Sequence, residues 1–223
     1  MTEPSTRPDL IRTGQTIGRV VDALKEKILD GRLVPGQRLI ANDLLEELAV
    51  SRGSLREAFR QLEAERLIDL SPNRGAIVRK LNVAEVDKLF EIRIALEGYA
   101  ARAAAERINE KDHRKRLEQI LEQGRAHLMN PDFSTFVMDN RAFHQTIVAM
   151  SGNDELARLI DKYQLPVFML QLRQIISKEQ IIHNALNEHE EIAAGILSGN
   201  PESAYRAMKQ HLLHSSALII ESL

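Results

Sequence analysis

The sequence predicts a mainly α chain in two parts: three helices with a short hairpin, then an all-helical bundle. Three observations carry that expectation. Apolar residues recur at helical spacing from Ile17 almost to the end of the chain. The pattern breaks once, where Leu67, Ile68 and Leu70 are joined to Ala76, Ile77 and Val78 by the turn Ser71-Pro72-Asn73-Arg74-Gly75. From Val83 onward the helical spacing returns and no strand pattern interrupts it.

Residues 1–14, with Pro4, Ser5, Thr6, Arg7 and Pro8, read as a disordered leader. Ile17, Val20, Val21, Leu24 and Ile28 then give an amphipathic helix up to Asp30, ended by Gly31. Asn42 to Leu48 reads as a short helix. Ser51 caps a third, with Leu55, Ala58, Phe59 and Leu62 on one face. The hairpin completes a domain spanning 15–79, a linker follows at 80–82, and the bundle occupies 83–223. Asn82 with Glu85 is a capping-box pattern that opens a helix running toward Ile108. Further helices are expected from Asn109 or Glu110 to Leu128, at 131–150, at 154–176 with a bend near Pro166, at 179–198, and at 201–221 behind Pro201.

Composition removes several classes. The 223 residues hold 30 Lys+Arg against 32 Asp+Glu, so no uniformly basic coat exists. With no Cys there is no disulfide scaffold, cysteine zinc finger, iron–sulfur site or thiol nucleophile. No apolar run approaches the roughly 18 residues of a membrane span, and residues 1–12 lack the apolar core of a signal peptide, so the expected compartment is the cytoplasm, away from membranes. Aromatics make up 4% of the chain, and only Phe59 precedes position 83, which disfavours base-stacking on single strands. Charge is divided: residues 1–80 hold 14 bases and 12 acids, whereas the rest holds 16 and 20.

Three helices and a hairpin in about 65 residues fit an N-terminal winged helix-turn-helix domain. In that geometry the first turn of the third helix meets base edges in the major groove. Ser51, Arg52, Gly53, Ser54 and Arg56 are placed there. An arginine fork matches guanine O6 and N7, and hydroxyls with N-terminal amides suit phosphates. Arg74-Gly75 at the hairpin tip could reach a minor groove. The bland alternative is an exposed helix whose Arg56, Arg60 and Arg66 merely pair with Glu57 and Glu63.

The run from Gly31 and Arg32 through Pro35-Gly36 to Leu39 resembles the turn after the first helix of GntR-family regulators. Val50 to Ala58 resembles that family's recognition helix, and Asn73 to Val78 its wing. The resemblance implies a homodimer on a palindromic double-stranded operator, contacted through Arg52, Ser54, Arg56 and the wing. Asn42-Asp43 departs from the Glu or Arg that many members carry after the second-helix cap.

The helical half places polar side chains on faces that should be apolar. The stripe Val86, Leu89, Phe90, Arg93, Leu96, Glu97, Ala100 turns Arg93 and Glu97 inward, four residues apart. Other stripes carry Asn140 and His144, then His189, then His211. One inward His is more often a satisfied core residue than a ligand. Three in one helical domain point to a shared polar site, and neutral imidazoles are good zinc or nickel ligands. His113, His127, His183 and His214 lie off these stripes and read as surface or supporting residues.

These helices resemble the ligand-binding domain of the FadR subfamily of that family, in its VanR-like branch. The matching segments are Arg93 to Glu97, Asn140 to His144, Ser151-Gly152-Asn153, Glu188-His189 and Gln210-His211-Leu212. The resemblance implies a divalent metal, zinc or else nickel, on Asn140, His144, His189 and His211, beside a pocket for a small carboxylate effector. The inward Arg93 is expected to receive that carboxylate by its bidentate fork, with Glu97, Asn140 and His144 as further effector contacts. Asn140 stands where Asp is common. The expected ligands are therefore all neutral, and an effector carboxylate or hydroxide would have to supply the anion; Asp139, about 100° around the helix, is a poor substitute.

The function these features imply is a ligand-responsive repressor. A metal-dependent helical enzyme is the alternative. Yet His189-Glu190-Glu191-Ile192-Ala193 lacks the second His of a zincin motif, and Glu110 with His113 is the lone Glu-x-x-His pair. A purely protein-binding helical adaptor would explain neither the wing nor the inward histidines.

Overall fold

The computed structural model describes residues 8–71, 75–127, 133–163, 179–221 and 223. The chain falls into two compact units that divide between Lys80 and Leu81. Helix α1 spans Pro8–Leu29, α2 Ala41–Leu48 and α3 Arg52–Ala64. Strands β1 (Arg38–Leu39), β2 (Ile68–Ser71) and β3 (Gly75–Val78) form one antiparallel sheet in the order β1-β3-β2. The register pairs Leu39 with Ala76 and Ile68 with Val78.

Val20, Val21, Leu24 and Ile28 of α1 are buried, as are Leu55, Ala58, Phe59 and Leu62 of α3. Leu67, Ile68, Ala76 and Val78 close the core of the first unit from the sheet side. The periodic apolar stripe thus produces the packing it predicts. β1 was not expected. Two residues are too few to display alternation, and the strand exists because β3 offers it an edge.

The leader expectation needs correction. The helix begins at Pro8, inside the segment read as disordered. Proline suits the first helical turn because it has no amide to leave unpaired there. The expectation for residues 1–7, the wing residue Arg74 with Pro72 and Asn73, Pro131, and the bend near Pro166 lies outside the described residues.

The second unit contains α4 (Val83–Glu106), α5 (His113–His127), α6 (Phe133–Met150), α7 (Asp154–Tyr163), α8 (Glu179–Leu197) and α9 (Pro201–Ile220). The predicted capping box is present: Glu85 N–H donates to Asn82 Oδ1 and Asn82 N–H to Glu85 Oε2, both at 3.0 Å. α5 starts later than its apolar pattern indicated, because Lys111 takes a left-handed φ of 45° and resets the chain. His113 also departs from its surface reading. It is 7% exposed, and its Nδ1 lies 2.9 Å from the carbonyl oxygen of Arg107, tying α5 to the end of α4.

α4 packs against α6, α7, α8 and α9, so it is the central helix of this unit. α8 and α9 approach closely. A Cβ at Gly195 would lie 2.8 Å from the backbone nitrogen of Ala204.

Gly195→Ala should therefore destabilise the helical unit by about 1–3 kcal/mol, the usual range for overpacking. Gly18→Ala, where nothing lies within 4 Å, should be neutral or stabilising by up to about 1 kcal/mol. Denaturant unfolding of both variants checks this; equal midpoints would overturn the close-packing account.

Candidate functional site

The reading head is assembled around Ser51. α2 ends at Ala49 in the left-handed region (φ 52°), and Ser51 begins α3 with its Oγ accepting from Ser54 N–H at 3.1 Å. This turn sets α3 across α2. Arg52, Gly53 and Arg56 are exposed on the first turns of α3. Exposed Asn42 on α2 accepts from Arg52 Nη2 at 3.4 Å. Ser54 differs from its expected role: it is buried, and its hydroxyl lies 3.0 Å from Ser51 Oγ, so it builds the cap instead of the outer face. Gly75 is exposed with φ 78°, a value that favours glycine where β3 begins. Arg32 pairs with Asp30 in the turn after α1. Arg60 does meet Glu57, at 3.4 Å, but Arg56 stands apart from that exposed pair.

In the helical unit α6, α8 and α9 each contribute one buried histidine. His144, His189 and His211 are 1%, 4% and 4% exposed. One nitrogen from each lies within 4.8 Å of the others. His144 Nε2 and His211 Nε2 are 3.2 Å apart, whereas His189 Nε2 is buried without a hydrogen-bond partner. Phe143 stacks on the His189 ring at 4.1 Å between centroids.

Both outer ring nitrogens face carboxylates. His144 Nδ1 is 2.6 Å from Glu97 Oε2, close but poorly aligned for a hydrogen bond. Glu97 Oε1 accepts from Arg93 Nε, also at 2.6 Å. His211 Nδ1 meets Glu188 Oε2 at 2.7 Å, and the other oxygen of Glu188 meets His214 Nδ1. Two chains therefore converge on the triad, Arg93–Glu97–His144 and His214–Glu188–His211. Glu188 lies off the apolar stripe, so periodicity does not mark it as a partner of the triad. Its place one residue before His189, and one helical turn from Asn184 and Ala185, was the available signal.

The electrostatics follow from burial. Burial alone would raise the Glu97 carboxyl; Arg93 and then His144 outweigh it and hold the group well below the usual carboxylate range. Burial pushes His189 well below the ordinary imidazole value, and His211 and His144 add to the effect. His211 is lowered by burial too, against the opposing bond to Glu188.

The donor set fits a divalent cation. With Zn–N bonds of about 2.0–2.1 Å, two ligand nitrogens of a tetrahedral site stand about 3.3 Å apart. The 3.2 Å between His144 and His211 is close to that edge. Two imidazole nitrogens 3.2 Å apart and an orphaned third nitrogen are the donors a cation would satisfy.

Asn140 is half-buried and lines a cavity beside the triad with Phe143, His189, Ile182 and Leu186. Arg93, Glu97 and His144 do not line it. Of four residues expected to touch an effector, the cavity reaches Asn140. Arg93 is 6% exposed, and its Nε is committed to Glu97, since a buried guanidinium requires a counter-ion. Asp139, on the same cavity, takes contacts from Gln123 and His127.

Comparison with known proteins decides the lineage. Residues 16–78 match the bacterial regulatory proteins of the gntR family, and residues 88–214 match the FCD domain. The chain belongs to the GntR family. It is a DNA-binding transcriptional regulator with a C-terminal FCD domain, and its family is one of regulators, not enzymes. The galactonate operon transcriptional repressor of Escherichia coli (strain K12) is 31% identical over 85% of this chain and 90% of its own length. A probable D-xylose utilization operon transcriptional repressor of Paenarthrobacter nicotinovorans is 27% identical over 93% and 90%. A GntR transcriptional regulator from Rhodococcus sp. RHA1 shares the fold, with a TM-score of 0.74 at 23% identity over 93% of this chain and 98% of that one. Among the described residues no helix is long and apolar enough to cross a membrane.

The depressed imidazoles give a pH prediction for the metal-free protein. The unfolded chain binds protons on His189 and His211 near pH 6.5, while the folded chain resists them. Stability must then rise with pH through that range. Calorimetry in chelator should show Tm falling as pH drops from 7.5 to 5.5; a flat or rising Tm would contradict this burial account.

Proposed function

We propose that this regulator is a cytoplasmic repressor that binds a palindromic operator as a homodimer and responds to a small carboxylate metabolite held beside a divalent metal. The observation that carries the reading is the union, in one GntR–FCD chain, of an exposed Arg52–Arg56 recognition turn with three converging buried imidazoles. His144, His189 and His211 would hold the metal, and Asn140 completes the set from the cavity side. Zinc suits nitrogen-rich tetrahedral donors best, with nickel second. When bound, the metal supplies a positive centre for the carboxylate of the effector.

Among the chain's own residues, Asn140 and His189 border the cavity, and Phe143 stacks against the His189 ring. The apolar wall of Ile182 and Leu186 accepts the carbon skeleton. Arg93 and Glu97 act behind His144, not on the effector. In the reading head Arg52 and Arg56 contact bases. Ser51 and the first-turn amides face phosphate, with Gly53 allowing close approach; Ser54 supports Ser51. Asn42 positions Arg52, and Arg32, Arg74 and Gly75 flank the duplex. The effector controls operator affinity by favouring one arrangement of the paired reading heads. The name of the relative that represses a galactonate operon supports a sugar acid as one candidate.

Arg52→Ala and Arg56→Ala should each weaken binding to the chain's own upstream region by about 5–150-fold, the worth of one bidentate base contact. Quantitative gel shifts at fixed salt measure it. A panel of small carboxylates, titrated with and without chelator, should change operator affinity only when metal is present. Failure of wild-type protein to bind any double-stranded site would sink the reading.

A further inference from the structure

We infer that Glu97 and Glu188 are positioning residues of the metal site: they hold His144 and His211 with Nε2 inward, and they supply from one residue further out the negative charge that three imidazoles and an amide lack. The inference rests on the metal reading above and adds the source of the site's charge.

The geometry is paired. Each carboxylate puts Oε2 on the Nδ1 of a ligand histidine, at 2.6 Å for Glu97 and 2.7 Å for Glu188. Each puts Oε1 on a second basic group, Arg93 or His214. A proton on Nδ1 facing a carboxylate leaves the lone pair on Nε2, which is the atom that points to the partner histidine 3.2 Å away. His189 shows the contrast. No carboxylate engages it in the described structure; an aromatic ring holds it by stacking, whereas His144 Nδ1 has a carboxylate oxygen at 2.6 Å even though that pair is poorly aligned for a hydrogen bond.

The arrangement also answers what Asn140 costs. A ligand set without an anion binds a dication weakly if nothing compensates the charge. Here a fully buried carboxylate behind His144 and a half-buried one behind His211 raise ligand basicity without occupying a coordination position. The inner shell stays neutral, and the cation keeps its attraction for an incoming anion. Arg93 compensates the buried Glu97 carboxylate, and the half-buried Glu188 takes a contact from His214 Nδ1.

The test is zinc affinity of the full-length protein, by competition with a chromophoric chelator, for wild type, Glu188→Gln and the double variant Arg93→Met/Glu97→Gln. The double variant removes the buried pair together, so that no lone charge remains to unfold the helix. Each should bind zinc about 10–100-fold more weakly while remaining folded. The visible spectrum of cobalt-loaded protein should shift as well, which loss of a merely structural ion pair would not cause. If wild type binds one zinc and both folded variants bind within twofold of it, the positioning role is wrong and the metal reading stands. If wild type takes up no zinc, both fall.

Discussion

The helical unit depends on one buried ion pair. Arg93 and Glu97 lie one turn apart on α4, the helix that touches four others, at 6% and 1% exposure. Neither charge could stay there alone: removing one partner of such a pair typically costs about 3–5 kcal/mol. Once Glu97 is fixed by Arg93, its second oxygen sits against His144 on α6. His144 then faces His211 on α9. A local i, i+4 contact is thereby extended across the bundle into a site built by separate helices. Phe90 seconds it, with its ring 5.0 Å from the Arg93 guanidinium carbon.

The two units use polar groups in opposite ways. In the first, the polar residues that matter are exposed. Ser51 and Ser54 fasten the helix start so that Arg52 and Arg56 remain outside. A surface arginine contributes little to folding, and a chain carries it on an outer face at low stability cost. In the second unit the polar residues are inside, where an unsatisfied group costs a few kcal/mol. Among the described residues three buried side-chain atoms lack a hydrogen bond, Glu97 Oε2, His144 Nδ1 and His189 Nε2, and all three belong to this site.

Much of this was legible in the sequence. Helix α3 and the inward turn of Arg93, Glu97, His144, His189 and His211 follow from periodicity, and burial agrees; the capping box follows from Asn82 with Glu85 three residues on, and both of its bonds are present. Other features could not be read that way. β1 is two residues long and owes its existence to β3. The helical start at Pro8 carries no apolar stripe. His113 is buried through a single bond to a carbonyl, which periodicity does not encode. Periodicity also says which side a residue faces, not what it touches. It placed Arg93 inward, and an effector contact was one inference from that. The structure gives its Nε to Glu97 and keeps it off the cavity. Glu188 was missed for the converse reason, since a half-buried acid beside a stripe looks like solvated surface until its partners are known.

The position of negative charge relative to the triad bears on what the cavity can recognise. Had the chain carried an aspartate at 140, a bound dication would be partly neutralised from the cavity side, and an arriving anion would meet that carboxylate. With Asn140 there, the buried carboxylate of Glu97 and the half-buried one of Glu188 each reach the triad through an imidazole. Asp139 does face the cavity, but Gln123 and His127 already engage its two oxygens. Coulomb interaction is strongest where water is excluded, so small changes in charge placement weigh heavily beside a buried centre. A neutral amide at 140 keeps a carboxylate off the cavity side of the triad at that position, and the buried Glu97 charge lies behind His144. For the carboxylate-responsive reading proposed above, where the acids are placed weighs more than how many the bundle contains.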